Sequence, residues 1–139
     1  MSTGSPVVSK RVFSGPEAPV QLYTSGRVVR LAPTATVAEA AALLSAHDVG
    51  ALVVAEGDTV VGIVSERDVA HAVASRIPLD TLGLGEVAST KLVWCSPNES
   101  VATVSARMLE HYVRHVLVRE GHRIVGVVSA RDLVGAHLA

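Results

Sequence analysis

Hydrophobic and polar positions in this chain switch between a helix-like and a strand-like period, and the same order of periods occurs twice. In the first half, Thr36-Val37-Ala38-Glu39 has the spacing of a capping box at a helix start. Apolar residues then take the i, i+3, i+4, i+7 spacing of one helix face at Val37, Ala40, Ala41 and Leu44. Two Val-rich runs follow at 51–55 and 59–64, and Glu56-Gly57-Asp58 between them is typical of a hairpin turn. The pattern therefore predicts a helix followed by two antiparallel strands.

Each predicted hairpin runs into a further helix through the same short motif. The first copy is Gly62-Ile63-Val64-Ser65-Glu66-Arg67-Asp68, and the second is Gly126-Val127-Val128-Ser129-Ala130-Arg131-Asp132, 64 positions later. Its Ser-x-x-Asp spacing is that of a capping box at a helix N-terminus. A helix start also offers unpaired N–H groups to an anion such as phosphate. The residues alone leave both interpretations open, a structural cap and a ligand-binding turn.

The duplication extends over the whole half and is not confined to the motif. At the same offset, identical residues recur as Pro33 and Pro97, Val37 and Val101, His47 and His111, Gly57 and Gly121. With a short apolar strand before each first helix, each half predicts a β-α-β-β-α unit. We therefore expect an α/β (α+β) fold of two such repeats. So small a unit can hardly bury its own faces, and we expect the repeats to pack about a pseudo-twofold axis.

Segments without a sustained period mark the boundaries of the repeats. Residues 1–21 contain three prolines with several Ser and Gly, which predicts an N-terminal arm that is mobile or loosely docked. We place repeat 1 at 22–75, the linker with the start of repeat 2 at 76–91, and repeat 2 at 92–139. A short helical turn is expected near Glu86.

Composition narrows the class of protein. The chain has 139 residues, a net charge of −1 and 49% hydrophobic residues, which suits a packed core of Val, Leu, Ile and Ala. Its interspersed charges lack the basic stripe of a nucleic-acid surface. No apolar run reaches the roughly 18 residues of a membrane span, and the first twenty residues lack the apolar core of a signal peptide. We expect a cytoplasmic protein with no nucleic-acid or membrane partner.

No arrangement of residues in the sequence points to catalysis or to a metal site. Cys95 is the single cysteine, which excludes an internal disulfide, and we expect it to be a small apolar residue of a strand. His111 and His115 have the i, i+4 spacing of a metal pair, but 113–118 predicts a strand, so the two do not share a helix face. We expect no catalytic residues, no metal and no required cofactor, which argues against an enzyme.

The duplicated motif resembles that of a pair of cystathionine-β-synthase-type (CBS) domains, the arrangement called a Bateman module. The resemblance covers about residues 22–138. It rests on the Gly-φ-φ-Ser-x-x-Asp turn (φ is apolar), on the Glu-Gly hairpin and on His-x-Val before a buried strand, all present in both halves. The chain departs from many members at the start of each repeat, where it has Thr24-Ser25-Gly26 and Ala88-Ser89-Thr90. It also has Val53 and Leu117 where many members have proline.

This resemblance implies two sites for adenosine nucleotides in the cleft between the repeats. The motif Asp would hold the ribose hydroxyls, and the Ser and Arg would face ribose or phosphate. The first implied set of ligand-binding residues is Thr24, Val29, Val49, Gly50, Val127, Ser129, Arg131 and Asp132. The second is Ile63, Ser65, Arg67, Asp68, Ala88, Val93, Val113 and Arg114. Since the second set contains two arginines, we expect it to prefer ligands with more phosphates, and Gly50 to make the first set roomier.

The leading hypothesis is a non-enzymatic regulatory module that senses AMP, ADP or ATP, with S-adenosylmethionine and NAD(H) ranked lower. Its output would pass through a homodimer or to a protein partner regulated in trans. The alternative is a ligand-free dimeric interaction or scaffold protein of the same fold. In both hypotheses an apolar face of the paired helices, with Trp94 and Tyr112 as packing or interface residues, supports dimerisation.

Overall fold

A computed structural model of the chain describes residues 15–25 and 27–138. Its helices and strands follow the order β-α-β-β-α twice, which confirms the predicted mixed α+β class. The first set is β1 (Arg30–Leu31), α1 (Val37–His47), β2 (Ala51–Glu56), β3 (Thr59–Ser65) and α2 (Glu66–Ala74). A one-turn helix, α3 (Leu84–Val87), lies in the linker as expected. The second set is β4 (Trp94–Cys95), α4 (Val101–His111), β5 (His115–Glu120), β6 (Arg123–Ser129) and α5 (Ala130–Leu138).

The chain forms two compact units whose limits differ from those of the sequence repeats. Residues 27–92 make one unit, which we call the middle unit. Residues 15–25 join residues 93–138 in the other, which we call the terminal unit. Thus the segment that leads into repeat 1 belongs with repeat 2, and the linker belongs with repeat 1. The boundaries predicted above describe the sequence duplication. In the compact units, the two segments that lead into the repeats, residues 15–25 and the linker, are exchanged, and we call them the leading segments.

The middle unit contains a three-stranded sheet in the order β1-β2-β3. β1 runs parallel to β2, and β2 pairs with β3 as an antiparallel hairpin. Gly57 takes a positive φ of 59° in the hairpin turn, a conformation that glycine adopts without strain. The first five residues of β2 are buried, as its continuous apolar run predicts. Helix α1 begins at the expected cap, where Thr36 Oγ1 accepts a hydrogen bond from the Glu39 N–H at 3.1 Å.

The terminal unit repeats this sheet as β4-β5-β6 and adds the chain segment 15–25. Ala18 and Val20 are fully buried in its core, and a 3₁₀ turn spans Val20–Tyr23. The Val20 N–H donates to the Glu99 carbonyl at 2.8 Å, and the Gln21 N–H donates to the Pro97 carbonyl at 2.9 Å. The prediction of a loosely docked arm is therefore wrong for residues 15–21, because two apolar side chains and their backbone bonds fix this segment. Residues 1–14 lie outside the described residues.

An ion pair that has no counterpart in the middle unit fastens the loop before α4. Arg107 donates to both carboxylate oxygens of Glu99, at 2.7 and 3.0 Å, and to the Trp94 carbonyl at 2.9 Å. These hydrogen bonds lower the pKa of Glu99 to about 2, against an ordinary value of 4.5. Cys95 is buried in β4, which confirms its expected place, and burial raises its pKa to about 11. A thiol with so high a pKa is a poor nucleophile near neutral pH.

Candidate ligand-binding turns

In the middle unit, the motif forms a tightly bonded turn between β3 and α2. Ser65 is the N-cap of α2, and its Oγ accepts from the Asp68 N–H at 3.2 Å. In return, Asp68 Oδ2 accepts from the Ser65 N–H at 2.8 Å and from the Ser65 hydroxyl at 2.9 Å. This is a complete capping box, so the structural role that the spacing predicted is confirmed.

The terminal unit builds the same turn between β6 and α5. Asp132 Oδ2 accepts from the Ser129 N–H at 2.9 Å, and Ser129 Oγ accepts from the Asp132 N–H at 3.0 Å. Ser129 and Asp132 are half-buried, while Arg131 between them is exposed. The two copies of the motif therefore have matching local geometry as well as matching sequence.

Capping uses only part of the hydrogen-bonding capacity of these carboxylates. Within residues 15–25 and 27–138, every described hydrogen bond to the carboxylate of Asp68 or of Asp132 is accepted by Oδ2. An ionised carboxylate offers about four acceptor positions on its two oxygens. The cap thus fixes the orientation of each side chain and leaves Oδ1 as an acceptor of known direction. A structural role and a ligand-binding role are compatible at both turns.

The glycine that opens each motif is explained by the exchanged leading segment. A methyl group placed on Gly126 would lie 2.5 Å from the Ser25 carbonyl oxygen and closer still to Thr24 Cγ2. Ser25 pairs with Val127 beside it, its N–H donating to the Val127 carbonyl at 3.1 Å. In the middle unit, a methyl group on Gly62 would lie 2.9 Å from the Ala88 Cβ. Each leading segment therefore pairs with the strand that ends in the motif, and glycine permits the close approach of the two backbones.

The residue before each hairpin lies directly beside a motif of its own unit. The Glu66 N–H donates to the Gly50 carbonyl at 2.9 Å. The Ala130 N–H donates to the Arg114 carbonyl at 2.8 Å. The structure thus places Gly50 beside the Ser65–Asp68 turn and Arg114 beside the Ser129–Asp132 turn.

The remaining predicted site residues are divided between the two units. Those of the middle unit are Val29, Val49, Gly50, Ile63, Ser65, Arg67, Asp68 and Ala88. Those of the terminal unit are Thr24, Val93, Val113, Arg114, Val127, Ser129, Arg131 and Asp132. Each implied set draws on both units, and the grouping of residues into those two sets stays a prediction.

Sequence reasoning missed two neighbours of the motifs. His115, at the start of β5, is the register partner of Ser129, where the middle unit pairs Ala51 with Ser65. The predicted hairpin indicated this pairing in outline, because two strands joined by a short turn bring the first residue of one beside the last residue of the other. A one-residue bulge between Val118 and Arg119 shifts the register, so counting back from the turn misses the exact partner.

The fold and the turns define a class of protein: a tandem β-α-β-β-α repeat with a carboxylate-bearing strand-to-helix turn in each copy. The sequence profile of the CBS domain matches residues 21–75 and 84–139. The chain belongs to the CBS domain family. Pairs of these domains are generally regulatory and ligand-binding.

Relatives with known sequences and structures agree with this assignment. The chain is 33% identical over 107 residues to the CBS domain-containing protein YhcV of Bacillus subtilis, covering 77% of this chain and 76% of that protein. It is 32% identical over 100 residues to hypoxic response protein 1 of Mycobacterium tuberculosis, covering 70% of each. Its fold matches an uncharacterized conserved protein from Pyrococcus horikoshii with a TM-score of 0.76 and 29% identity, over 87% of this chain and 92% of that one.

The described residues also bear on metal sites and on membrane spans. Among the described residues, no group of three or more His, Cys, Asp or Glu side chains is placed to hold a metal ion. His111 ends α4 and His115 begins β5, so the two do not share a helix, as predicted. No helix in the described ranges combines the length and the apolarity that crossing a bilayer requires.

Proposed function

We propose that this protein is a non-enzymatic regulatory module that binds an adenosine-containing nucleotide, AMP, ADP or ATP, at its Ser-x-x-Asp turns. S-adenosylmethionine and NAD(H) share the adenosine group and rank lower. The observation that carries the proposal is the pre-oriented carboxylate of Asp68 and of Asp132, each fixed by its own capping box. A carboxylate fixed in this way is suited to accept hydrogen bonds from the vicinal hydroxyls of a ribose.

The groups around each carboxylate support a nucleotide over a plain sugar. Arg67 and Arg131 precede the carboxylates, are exposed, and present planar donors suited to phosphate oxygens. The positive dipole end of each helix favours negative charge at the same place. A nucleotide would thus find a hydroxyl acceptor and phosphate donors within one short turn.

The output of such a module is a change in the populations of its conformations. A ligand shifts that balance only by its difference in affinity for the two states. We propose that the response passes through a homodimer or to a protein partner regulated in trans. Since adenine nucleotides are ligands of the cytoplasm, the proposal includes a cytoplasmic location.

A second candidate function is a dimeric interaction or scaffold protein that binds no ligand. It is favoured by the exposed apolar side chains of α4 and its C-cap, where Leu109 is 79% and Tyr112 is 90% exposed. The matching positions of repeat 1 are Ser45 and Asp48, which are polar. The fold therefore does not require apolar residues there, and an apolar surface of this kind is typical of an interface.

Thermal unfolding with a panel of ligands separates the two functions. A ligand present at a hundred times its dissociation constant should raise the free energy of unfolding by roughly 2.7 kcal/mol. Asp132→Asn and Asp68→Asn keep the shape of the side chain and remove its charge. Each should therefore reduce the part of the ligand-induced rise in melting temperature that comes from binding at its own turn. Glu39→Gln is the matched control, because Glu39 is also the third residue of a capped helix but lies outside the motif.

The result that would reject nucleotide sensing is a melting temperature that no member of the panel changes. In that case the scaffold function takes its place, and sedimentation of the Leu109→Ser/Tyr112→Asp variant would show whether the exposed surface holds a dimer together. These two substitutions restore the residues that repeat 1 carries at the same positions.

A further inference from the structure

We propose that the two turns take ligands of different charge: the terminal turn binds the phosphate-bearing ligand, and the middle turn binds a nucleoside or a ligand with fewer phosphates. This inference rests on the proposed function and assigns its ligand classes to individual turns. It follows from the charged residues that each unit brings to its own motif.

In the terminal unit, the backbone brings basic residues from two parts of the chain to the Ser129–Asp132 turn. Arg114 precedes β5, and its carbonyl accepts from the Ala130 N–H at 2.8 Å. His115 is the register partner of Ser129, and Arg131 belongs to the first turn of α5. With His115 neutral, Arg114, Arg131 and Asp132 give these positions a formal charge of +1.

The equivalent positions of the middle unit carry the opposite charge. Gly50 replaces the arginine, and its carbonyl accepts from the Glu66 N–H at 2.9 Å. Ala51 replaces the histidine as the partner of Ser65. Together Glu66, Arg67 and Asp68 give a formal charge of −1. Exposed Glu66 also occupies the first position of α2, where a bound anion would meet it.

The duplication makes this comparison an internal control. Both turns share the two capping bonds that join backbone N–H groups to the Ser and Asp side chains, the same backbone bond to the preceding hairpin and the same register. The middle unit forms this geometry with Gly50, Ala51 and Glu66, so the fold itself does not require basic residues there. The charge difference is therefore available for selecting a ligand.

This assignment changes the expectation drawn from the resemblance. That expectation joined Arg114 to Arg67 and gave their shared set the greater affinity for phosphates. The backbone bond between Arg114 and Ala130 joins it instead to the turn of Arg131. Arg114 and Arg131 thus flank the same turn, and the proposal assigns both to one ligand.

Backbone NMR of the full chain with inorganic tripolyphosphate as the probe tests the charge preference without a nucleotide. We expect saturable shifts of the Ser129, Ala130 and Arg131 amides, and at least about tenfold weaker binding at the Glu66 and Arg67 amides. A unit charge about 6 Å from a phosphate in water changes affinity roughly threefold, so two charges change it about tenfold.

Exchanging the charges between the repeats sharpens the test. Arg114→Gly/Ala130→Glu gives the terminal turn the charge of the middle turn and should weaken tripolyphosphate binding there about tenfold at low salt. Gly50→Arg/Glu66→Ala is the reciprocal variant and should strengthen binding at the middle turn by a similar factor. Arg114→Gln, which removes the charge and keeps a polar side chain, serves as the milder variant and should weaken binding about threefold.

Equal shifts at both turns, stronger shifts at the middle turn, or no saturable shift at either would overturn the charge preference. Adenosine, AMP and ATP titrated in the same way keep this result separate from the proposed function. Adenosine compounds that bind with no preference by charge would leave the proposed function standing and reject only this inference. Tripolyphosphate binding at the terminal turn with no response to any adenosine compound would reject the proposed function alone.

Discussion

Replacing Gly126 by alanine should destabilise the terminal unit, because the exchanged leading segment leaves no room for a methyl group. The new Cβ would lie 2.5 Å from the Ser25 carbonyl oxygen, against an ordinary contact of roughly 3.3 Å or more. The Ser25 backbone would have to move by most of an ångström. Such movement weakens its pairing with Val127, which lies on the same strand as the substituted residue.

The expected size of the effect follows from two opposing terms. Overpacking of this kind costs about 1–3 kcal/mol, and a backbone obstacle places Gly126→Ala at the upper end of that range. Gly→Ala also restricts the unfolded chain, which offsets about 0.4–1 kcal/mol. We expect a net loss of about 2 kcal/mol in the free energy of unfolding for Gly126→Ala.

Three other variants isolate the cause. Gly62→Ala is the repeat-matched change, and its nearest obstacles are the Ala88 Cβ at 2.9 Å and the Ser89 oxygen at 3.1 Å, so it should cost at least about 1 kcal/mol less than Gly126→Ala. Gly135→Ala lies in α5 with nothing within 4 Å and should stabilise by roughly 0.5–1 kcal/mol. Thr24→Ser removes the Cγ2 that crowds Gly126 and should partly rescue Gly126→Ala.

Urea unfolding followed by circular dichroism measures these differences, and the fluorescence of Trp94 reports on the terminal unit. The reasoning fails if Gly126→Ala is as stable as the parent protein, or if Gly62→Ala is the more damaging change. Thr24→Ser should stabilise the Gly126→Ala protein more than it stabilises the parent protein. An equal effect in both would contradict a direct contact between the new Cβ and Thr24 Cγ2.

Three further predictions concern single side chains. Glu99→Gln should cost about 1 kcal/mol at neutral pH, because it weakens the ion pair with Arg107. The pKa of Glu99 is lower in the folded than in the unfolded protein, so this contribution exists above about pH 4.5 and is lost as the pH falls toward 2. The free energies of urea unfolding of the two proteins, measured at several pH values, should therefore converge in acid. A difference that stays constant with pH would contradict the assignment. Tyr112→Gly should raise the melting temperature, because Tyr112 has a left-handed φ of 55° at the C-cap of α4, which glycine adopts without strain. A lower melting temperature would show that the tyrosine side chain is needed for packing. Ser65→Ala should lower the free energy of unfolding by about 1 kcal/mol through loss of the α2 cap, whereas an unchanged urea midpoint would mean that the capping box contributes nothing.

Local features were predictable from the sequence because their causes are local. The helix starts at Thr36, Ser65 and Ser129 were predicted from residues three positions apart, and each has its expected capping hydrogen bond. The hairpin turns were predicted from single glycines flanked by Val-rich runs. The duplication then extended each local prediction to the other half of the chain.

The charge environment of each turn was not predictable in the same way. Arg114 precedes β5, while Ala130 follows β6, and only the paired hairpin brings their backbones together. The one-residue bulge after Val118 sets that pairing, and neither Gly126 nor the apolar residues around it specify by themselves where the extra residue lies. The resemblance to the family groups Arg114 with the Asp68 turn, and that grouping stays a prediction, because the backbone bond of Arg114 lies within the terminal unit.

The sequence by itself determined the repeated β-α-β-β-α order, the capped turns and the membership of the CBS family, since periodicity and capping depend on neighbours within a few residues. Only the tertiary structure decided which leading segment joins which repeat. Ser25 pairs with Val127 across about a hundred residues of chain, and Ser89 pairs with Ile63 in the middle unit. Edge strands accept any extended segment of suitable shape, and both Gly62 and Gly126 permit a close approach, so this choice depends on contacts that exist only in the folded protein.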